Sequence, residues 1–228
     1  MNTYFPSEFF ALEKFIYKEL WKLDAPVWET LSNIENFLSK QVLGKIEVNI
    51  PDGVFLENKA QISIGKGTVI EPGSFIKGPC IIGENCTIRQ GAYIRGFLIT
   101  GNECLIGHAT EVKNSILLNR VQAAHFAYIG DSILGNEVNL GAGTICANFR
   151  LDGKLIPILC GKDSISSGLK KMGAIVGDGV KIGCKVVINP GAILGKETYV
   201  LPCLHVQGVI PAHSLVRSIN QVSVSKRK

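Results

Sequence analysis

The sequence predicts a mainly β chain, a left-handed parallel β-helix of hexapeptide repeats behind a short N-terminal helical segment, and three observations carry that reading. From Ile64 an aliphatic or small residue recurs every sixth position, through Ile70, Ile76, Ile82, Ile88, Ile94, Thr100, Ile106 and Val112. Five-residue steps then lead to Leu117, Ala123 and Ile129, and to Leu134, Leu140 and Cys146, before the period resumes from Val176 to Val206. Glycine often follows the recurring residue, as at Gly65, Gly83 and Gly107, and a small side chain stands four after it, as at Thr68, Ser74 and Cys80. A period of six fits neither an amphipathic helix nor a two-faced strand; sustained, it marks a solenoid.

Each hexad reads as a short strand plus a turn. Three hexads close one triangular coil, the recurring aliphatic fills the interior, and glycine supplies turn conformations that a Cβ resists. Coils stack in parallel, so stability comes from neighbouring coils. The hand is the exception to the usual right-handed crossover.

Along the chain, residues 1–48 read as a helical segment. Pro6-Ser7-Glu8 looks like a helix start, and Phe9, Leu12, Phe15, Ile16 and Leu20 follow at helical spacing. A second helix is expected from about Ala25-Pro26, carrying Val27, Leu31, Ile34, Phe37 and Leu38. Both amphipathic faces should pack on each other, on the solenoid or on a neighbouring subunit. Residues 49–217 form the β-helix, entered through the turn Pro51-Asp52-Gly53. Residues 149–172 break the period and predict a loop projecting from the prism, where function often resides. Residues 218–228 end in Lys226-Arg227-Lys228 and read as a solvated basic tail.

Composition narrows the classes. The 228 residues suffice for a solenoid and one small appendage. The apolar runs are too short for a membrane span, and the N-terminus lacks a secretion signal, so a cytoplasmic protein is expected. Seven cysteines without a C-x-x-C pair signal neither a disulfide framework nor a zinc site; Cys80, Cys86, Cys104 and Cys146 fall on the repeat as small core residues. The four histidines lack the spacing of a metal-binding trio, and no metal is expected. The net charge of +5 comes with lysines crowded at Lys154, Lys162, Lys170 and Lys171, but no aromatic platform or nucleic-acid motif accompanies them. A small polyanion suits them as well as nucleic acid does.

One histidine stands apart, His125 in Ala124-His125-Phe126-Ala127-Tyr128, near an irregular step of the repeat. Arg95 and Lys113 lie 18 residues apart, one whole coil, and should stack on one corner. Two aligned cations suit a phosphate by charge and hydrogen bonding; alone, they could equally be a solvated face.

The strings E-V-K-N-S (111–115), A-H-F-A-Y-I-G-D (124–131), N-E-V-N-L-G-A-G-T (136–144) and A-N-F-R-L-D-G-K (147–154) go further. They resemble the acetyltransferase domain of the bifunctional N-acetylglucosamine-1-phosphate uridyltransferase/glucosamine-1-phosphate N-acetyltransferase family, with the archaeal sugar-phosphate nucleotidylyltransferase/acetyltransferases nearer still. The resemblance covers about residues 50–217 and implies an acetyl-CoA-dependent N-acetyltransferase, a homotrimer, and an amino-sugar 1-phosphate acceptor such as glucosamine-1-phosphate. It implies His125 as catalytic base and Arg95, Lys113, Tyr128, Asn139 and Lys154 as substrate-binding residues. Ala142, Asn148, Phe149, Cys184, Pro202 and Arg217 match positions that touch acetyl-CoA. Imidazole suits the part, because acetyl transfer needs a neutral amine whose proton has somewhere to go. Backbone N–H groups could hold the thioester oxyanion.

Two departures stand out: Phe149 replaces the usual tyrosine, and Ala124 replaces the glycine before the histidine. No G-x-G-T-R-M loop occurs, so uridyl transfer is not expected from these residues, and a separate nucleotidyltransferase is a possible partner. Two other classes share the scaffold: an acyl-carrier-protein-dependent acyltransferase of lipid A synthesis, and a catalytically silent assembly subunit.

Overall fold

The computed structural model describes residues 4–218. The basic tail therefore lies outside the described residues, apart from Ser218. Three eight-stranded parallel sheets wind into a left-handed prism. In each coil the chain visits three faces in order. Face I begins with Ile62–Ile64, face II with Val69–Ile70 and face III with Phe75–Lys77, after which Cys80–Ile82 returns to face I beside Ile62–Ile64.

The six-residue period works as a packing rule. Every recurring aliphatic from Ile64 to Val206 is buried in one continuous core, and Thr100 takes its place in the same row, also buried. The small residues four positions on, including Ser74, Cys80, Cys86 and Thr110, are buried at the corners. Burial pushes the Cys80 and Cys146 thiols up to about 12, which keeps them inert core groups.

Glycine supplies the expected left-handed turns at corners such as Gly67, Gly91 and Gly143, but the glycines after the aliphatics serve another purpose. The left-handed corner positions are mostly not glycine: Asn85, Glu103, Arg120 and Glu137 stack in one column with φ between 54° and 61°. The glycines after the aliphatics are required by close approach. A Cβ on Gly107 would lie 1.7 Å from the Ala124 carbonyl oxygen of the next coil.

The irregular five-residue steps fall at the corner from face III to face I, at Lys113-Asn114-Ser115 and Gly130-Asp131-Ser132. They do not coincide with His125, which sits at the corner from face II to face III, so that expectation is corrected.

The N-terminal segment also differs from the expected pair of helices. The first helix, α1, is only Pro6–Phe9, and a single 3-10 turn follows at Lys18–Leu20. The intervening backbone is strapped along the corner between faces I and II. Phe9 and Ala11 oxygens accept from Asp178 N at 3.0 Å and Asn136 Nδ2 at 3.0 Å, while Ala11 N donates to Asp178 Oδ2 at 2.7 Å. Lys14 O and Ser7 O accept from Asn119 and Lys196. Backbone groups satisfied by the prism have no need of a helical ladder.

The second helix, α2, runs Glu29–Ser39, three residues later than expected. Its buried side, Leu31, Ile34, Phe37 and Leu38, joins Phe9, Phe10, Phe15 and Trp28 over an outward row of face I: Ile81, Ile99, Ile116, Ile133, Ile175 and Ile193.

The excursion 149–172 folds back instead of projecting freely. Pro157–Cys160 pairs antiparallel with Asp163–Ser166, and Ile156 and Ile158 are fully buried in the same outer cluster. Gly191 and Gly208 give it room, since a Cβ there would lie 2.6 Å and 2.9 Å from the Pro157 and Leu159 oxygens. Among the described residues, no helix is long and apolar enough to cross a membrane.

Candidate active site

His125 ends the strand Gln122–His125 and stands exposed at the corner between faces II and III. The strand places it in register with His108 one coil below. His108 is fixed by a 2.8 Å hydrogen bond between Nδ1 and the Gln90 carbonyl. The Phe126 ring meets His108 edge-on at 5.2 Å and His125 at 6.4 Å. Among the described residues the His125 side chain has no hydrogen-bond partner, which leaves both ring nitrogens open to a reacting group.

The same corner continues upward through the candidate cofactor residues. Backbone hydrogen bonds from Gly143 N to His125 O, Lys185 N to Ala142 O and Cys203 N to Cys184 O stack His125, Ala142, Cys184 and Pro202 in one column. Arg217 follows the strand Leu215–Val216 and reaches the corner in the next coil.

Across face III lies the second half of the site. Tyr93, Glu111, Tyr128 and Ile145 form one outward row in register. Beyond them, at the corner to face I, stand Arg95 and Lys113, one coil apart as expected. The expected pair of free cations is, however, already paired with acids. Arg95 Nη1 donates to Glu111 Oε1 at 2.8 Å, and Lys113 Nζ to Asp131 Oδ2 at 2.9 Å. The first pair is half-exposed, whereas the second is more enclosed, with side-chain exposures of 18% for Lys113 and 6% for Asp131.

Asp131 organises this corner. It also accepts from Asn114 Nδ2 at 2.8 Å and from Asn148 Nδ2. Asn148 thus contacts the acid at the Arg95–Lys113 corner, and its carbonyl accepts from Met172 N at 3.0 Å, closing the root of the excursion. The Tyr128 hydroxyl titrates above its ordinary value, chiefly through burial and then through the charges of Asp131 and Glu111. The Arg95 guanidinium is held above its usual range by the hydrogen bond to Glu111. Asp131 and Glu111 escaped the sequence reading, although Asp131 closes the string A-H-F-A-Y-I-G-D and Glu111 opens E-V-K-N-S.

Other expected residues are dispersed. Asn139 points outward from face II, with Gln122 and Lys181, so it does not share a pocket with Tyr128 within one chain. Phe149 is exposed at the start of the excursion. Lys154 is exposed in the turn where Asp152 Oδ1 accepts from Lys154 N at 3.2 Å, and its ammonium makes no bond to the Arg95–Lys113 corner. The neighbouring Arg150 guanidinium holds the Asp152 carboxyl well below the usual carboxylate range.

The chain is similar in sequence to several known proteins. The model of the GMPPB C-terminal domain matches residues 76–166. The bifunctional protein GlmU of Methanococcus maripaludis is 34% identical over 216 residues, 92% of this chain and 50% of that protein. The chain therefore spans about half the length of the GlmU relative it matches. YaiX of Escherichia coli, an uncharacterized acetyltransferase, is 32% identical over 193 residues, 81% of this chain and 84% of that protein. Among solved structures, the polySia specific acetyltransferase NeuO superposes with a TM-score of 0.47 at 14% identity, over 72% of this chain and 82% of that one. At 32% identity over 84% of the length of YaiX, the chain belongs to the hexapeptide-repeat acetyltransferase family, a family of acyl-transfer enzymes.

Proposed function

We propose that the protein is an acetyl-CoA-dependent N-acetyltransferase acting on an amino-sugar 1-phosphate, with glucosamine-1-phosphate as acceptor, in the cytoplasmic synthesis of UDP-N-acetylglucosamine. The observation that carries this reading is a single face with an unpartnered histidine at one edge and two phosphate-capable cations at the other. Face III separates His125 from Arg95 and Lys113 by one short strand, about 10 Å of backbone, and side chains reaching inward from both edges would meet an acceptor whose amine and phosphate stand on adjacent ring carbons.

In this reading the acceptor phosphate takes the free N–H groups of Arg95 and displaces part of the Lys113 contact with Asp131. The sugar lies over Tyr128. His125 accepts the proton of the amine as its nitrogen attacks the thioester carbonyl. The new C–N bond forms, the C–S bond breaks, and the sulfur leaves as CoA thiolate, which is protonated in turn. No covalent enzyme intermediate is needed. The pantetheine lies along Ala142, Cys184 and Pro202, with Phe149 and Arg217 at its ends. Asn139 on face II would reach an acceptor held by a neighbouring prism, which makes the working form a homotrimer.

Release of CoA thiol from acetyl-CoA, followed with and without glucosamine-1-phosphate, tests the proposal. The wild type should release thiol only with the acceptor, and His125→Ala should lower kcat by roughly 10²–10⁴-fold with acetyl-CoA binding retained. Full activity of His125→Ala, or no acceptor-dependent release by the wild type, would overturn it.

A further inference from the structure

The seven cysteines fall into two populations. Cys80, Cys86, Cys104 and Cys146 are sealed in the prism, and Cys160 is half-buried with its sulfur 2.9 Å from the Tyr4 hydroxyl. Among the described residues only the thiols of Cys184 and Cys203 are exposed, and neither sulfur has a hydrogen-bond partner. Both stand at the corner between faces II and III, in successive coils above Ala142.

Their mutual placement follows from the coil. The register Ile182↔Val200 and Val187↔His205 sets Cys184 beneath Pro202, with Cys203 the next residue along. Cys203 N donates to Cys184 O at 2.9 Å, and Cys203 takes the left-handed corner position with φ 61°. The same relation holds lower on this corner, where Phe126, with φ 52°, donates from its N to His108 O at 2.8 Å. There the two side chains meet edge-on, with ring centroids 5.2 Å apart. The repeat thus brings each corner side chain against the one that precedes the corner in the coil below. A coil step of about 4.8 Å and a residue step of about 3.8 Å set the two Cα atoms about 6 Å apart, inside the ~4.4–6.8 Å range of disulfides.

Exposure decides the chemistry of such a pair. The thiolate is the attacking species, and access selects which cysteines react. A disulfide closed at an exposed corner is equally open to reduction, which is the behaviour of labile, regulatory disulfides.

We propose that Cys184 and Cys203 form a reversible dithiol–disulfide pair that weakens acetyl-CoA binding when closed. The thiolate of one cysteine attacks a small-molecule disulfide, whose S–S bond breaks and releases one thiolate. The second cysteine thiolate attacks the mixed disulfide, forming the Cys184–Cys203 bond and expelling the second thiolate. The protons given up by the two cysteines end on the two released thiols, and an added dithiol reverses the exchange. The effect on acetyl-CoA rests on the reading that Cys184 and Pro202 lie along the pantetheine. His125 is two coil steps away, about 10 Å along the prism, so the link acts on the cofactor and not on the base.

Oxidised glutathione is the probe. After it has been applied to the wild type, trypsin should release residues 182–185 joined to residues 197–217, with the mass of both peptides less two hydrogens. Dithiothreitol should separate them. Cys203→Ser should give no joined peptides and should carry glutathione on Cys184 instead. Calorimetric titration uses acetyl-CoA, which has no free thiol to reopen the link; oxidation of the wild type should weaken its binding about tenfold, the loss of one good contact. Glutathione on both cysteines with no joined peptides overturns the pair and leaves the acetyl-transfer reading standing. A covalent dimer without reductant, showing that the link joins two subunits, overturns it as well. Joined peptides with acetyl-CoA binding unchanged overturn the control of the cofactor. Joined peptides in a protein that binds no acetyl-CoA even when reduced support the thiol pair and overturn the acetyl-transfer reading.

Discussion

Asp131 shows how one side chain can set the character of a corner. Its carboxylate is buried and gathers Lys113 and Asn114 from one strand end and Asn148 from another. The neighbouring pair Arg95–Glu111 has the same charges but is half-exposed. Removing one partner of a buried pair strands the other charge at a cost of about 3–5 kcal/mol, whereas exposed pairs contribute about 1 kcal/mol or less. Asp131→Ala should therefore destabilise by about 3 kcal/mol in urea unfolding, and Glu111→Ala by less than about 1 kcal/mol. Equal midpoint shifts would show that the Lys113 corner is as wet as the Arg95 corner. At this scale the sequence was only partly legible. The placement of Arg95 over Lys113 follows from an 18-residue interval, and Asp131 lies a further 18 residues on, but the interval alone does not tell that its carboxylate turns to Lys113.

The elements divide by what satisfies their backbones. Interior positions of the prism could be read from Ile64 onward because every coil repeats the same environment. The run Phe9, Leu12, Phe15, Ile16 and Leu20 has helical spacing, yet its carbonyls and N–H groups go to Asn119, Asn136, Asp178 and Lys196. The clue was a second recurrence, Asn102, Asn119 and Asn136, whose side-chain oxygens each accept from the backbone one coil earlier. A further clue lay one residue before the core row, where Ile81, Ile99, Ile116 and Ile133 turn an apolar edge outward on one face only. Asn139 and Tyr128 precede the core residues of different hexads, which is why they fall on different faces. Since α2 is held by that outer row, Ile34→Ala, at a fully buried position, should cost about 2–5 kcal/mol. A negligible shift in thermal unfolding would mean that the segment is only loosely docked.

Across the whole molecule the three faces are not equivalent. Face I is covered by the chain's own N-terminal segment and hairpin, while faces II and III meet at His125 and keep outward side chains such as Tyr93, Ile145, Tyr199 and Leu215 exposed. The covering is coupled to pH through Asp178, which joins the strap to the prism. Burial raises its carboxyl above the ordinary value, against the hydrogen bonds from Ala11 and Asn136 that lower it. A raised carboxyl contributes stability in full below its unfolded-state pKa and loses it as pH rises through the folded value. The melting temperature of the wild type relative to Asp178→Asn should accordingly fall as pH is raised from about 4 to 7; a constant difference would show that Asp178 titrates alike folded and unfolded.

A stack of coils that touch only their neighbours can fray from either end, coil by coil. The strap and α2 change that, because the cluster they form reaches from Ile81 to Ile193 and so grips coils that never meet directly. Loosening any one of them exposes apolar surface on a segment shared by the rest. A brace laid lengthwise thus turns a serial array into a cooperative unit. The two edges of face III, His125 and Lys113, are held at a fixed spacing by material packed on another face.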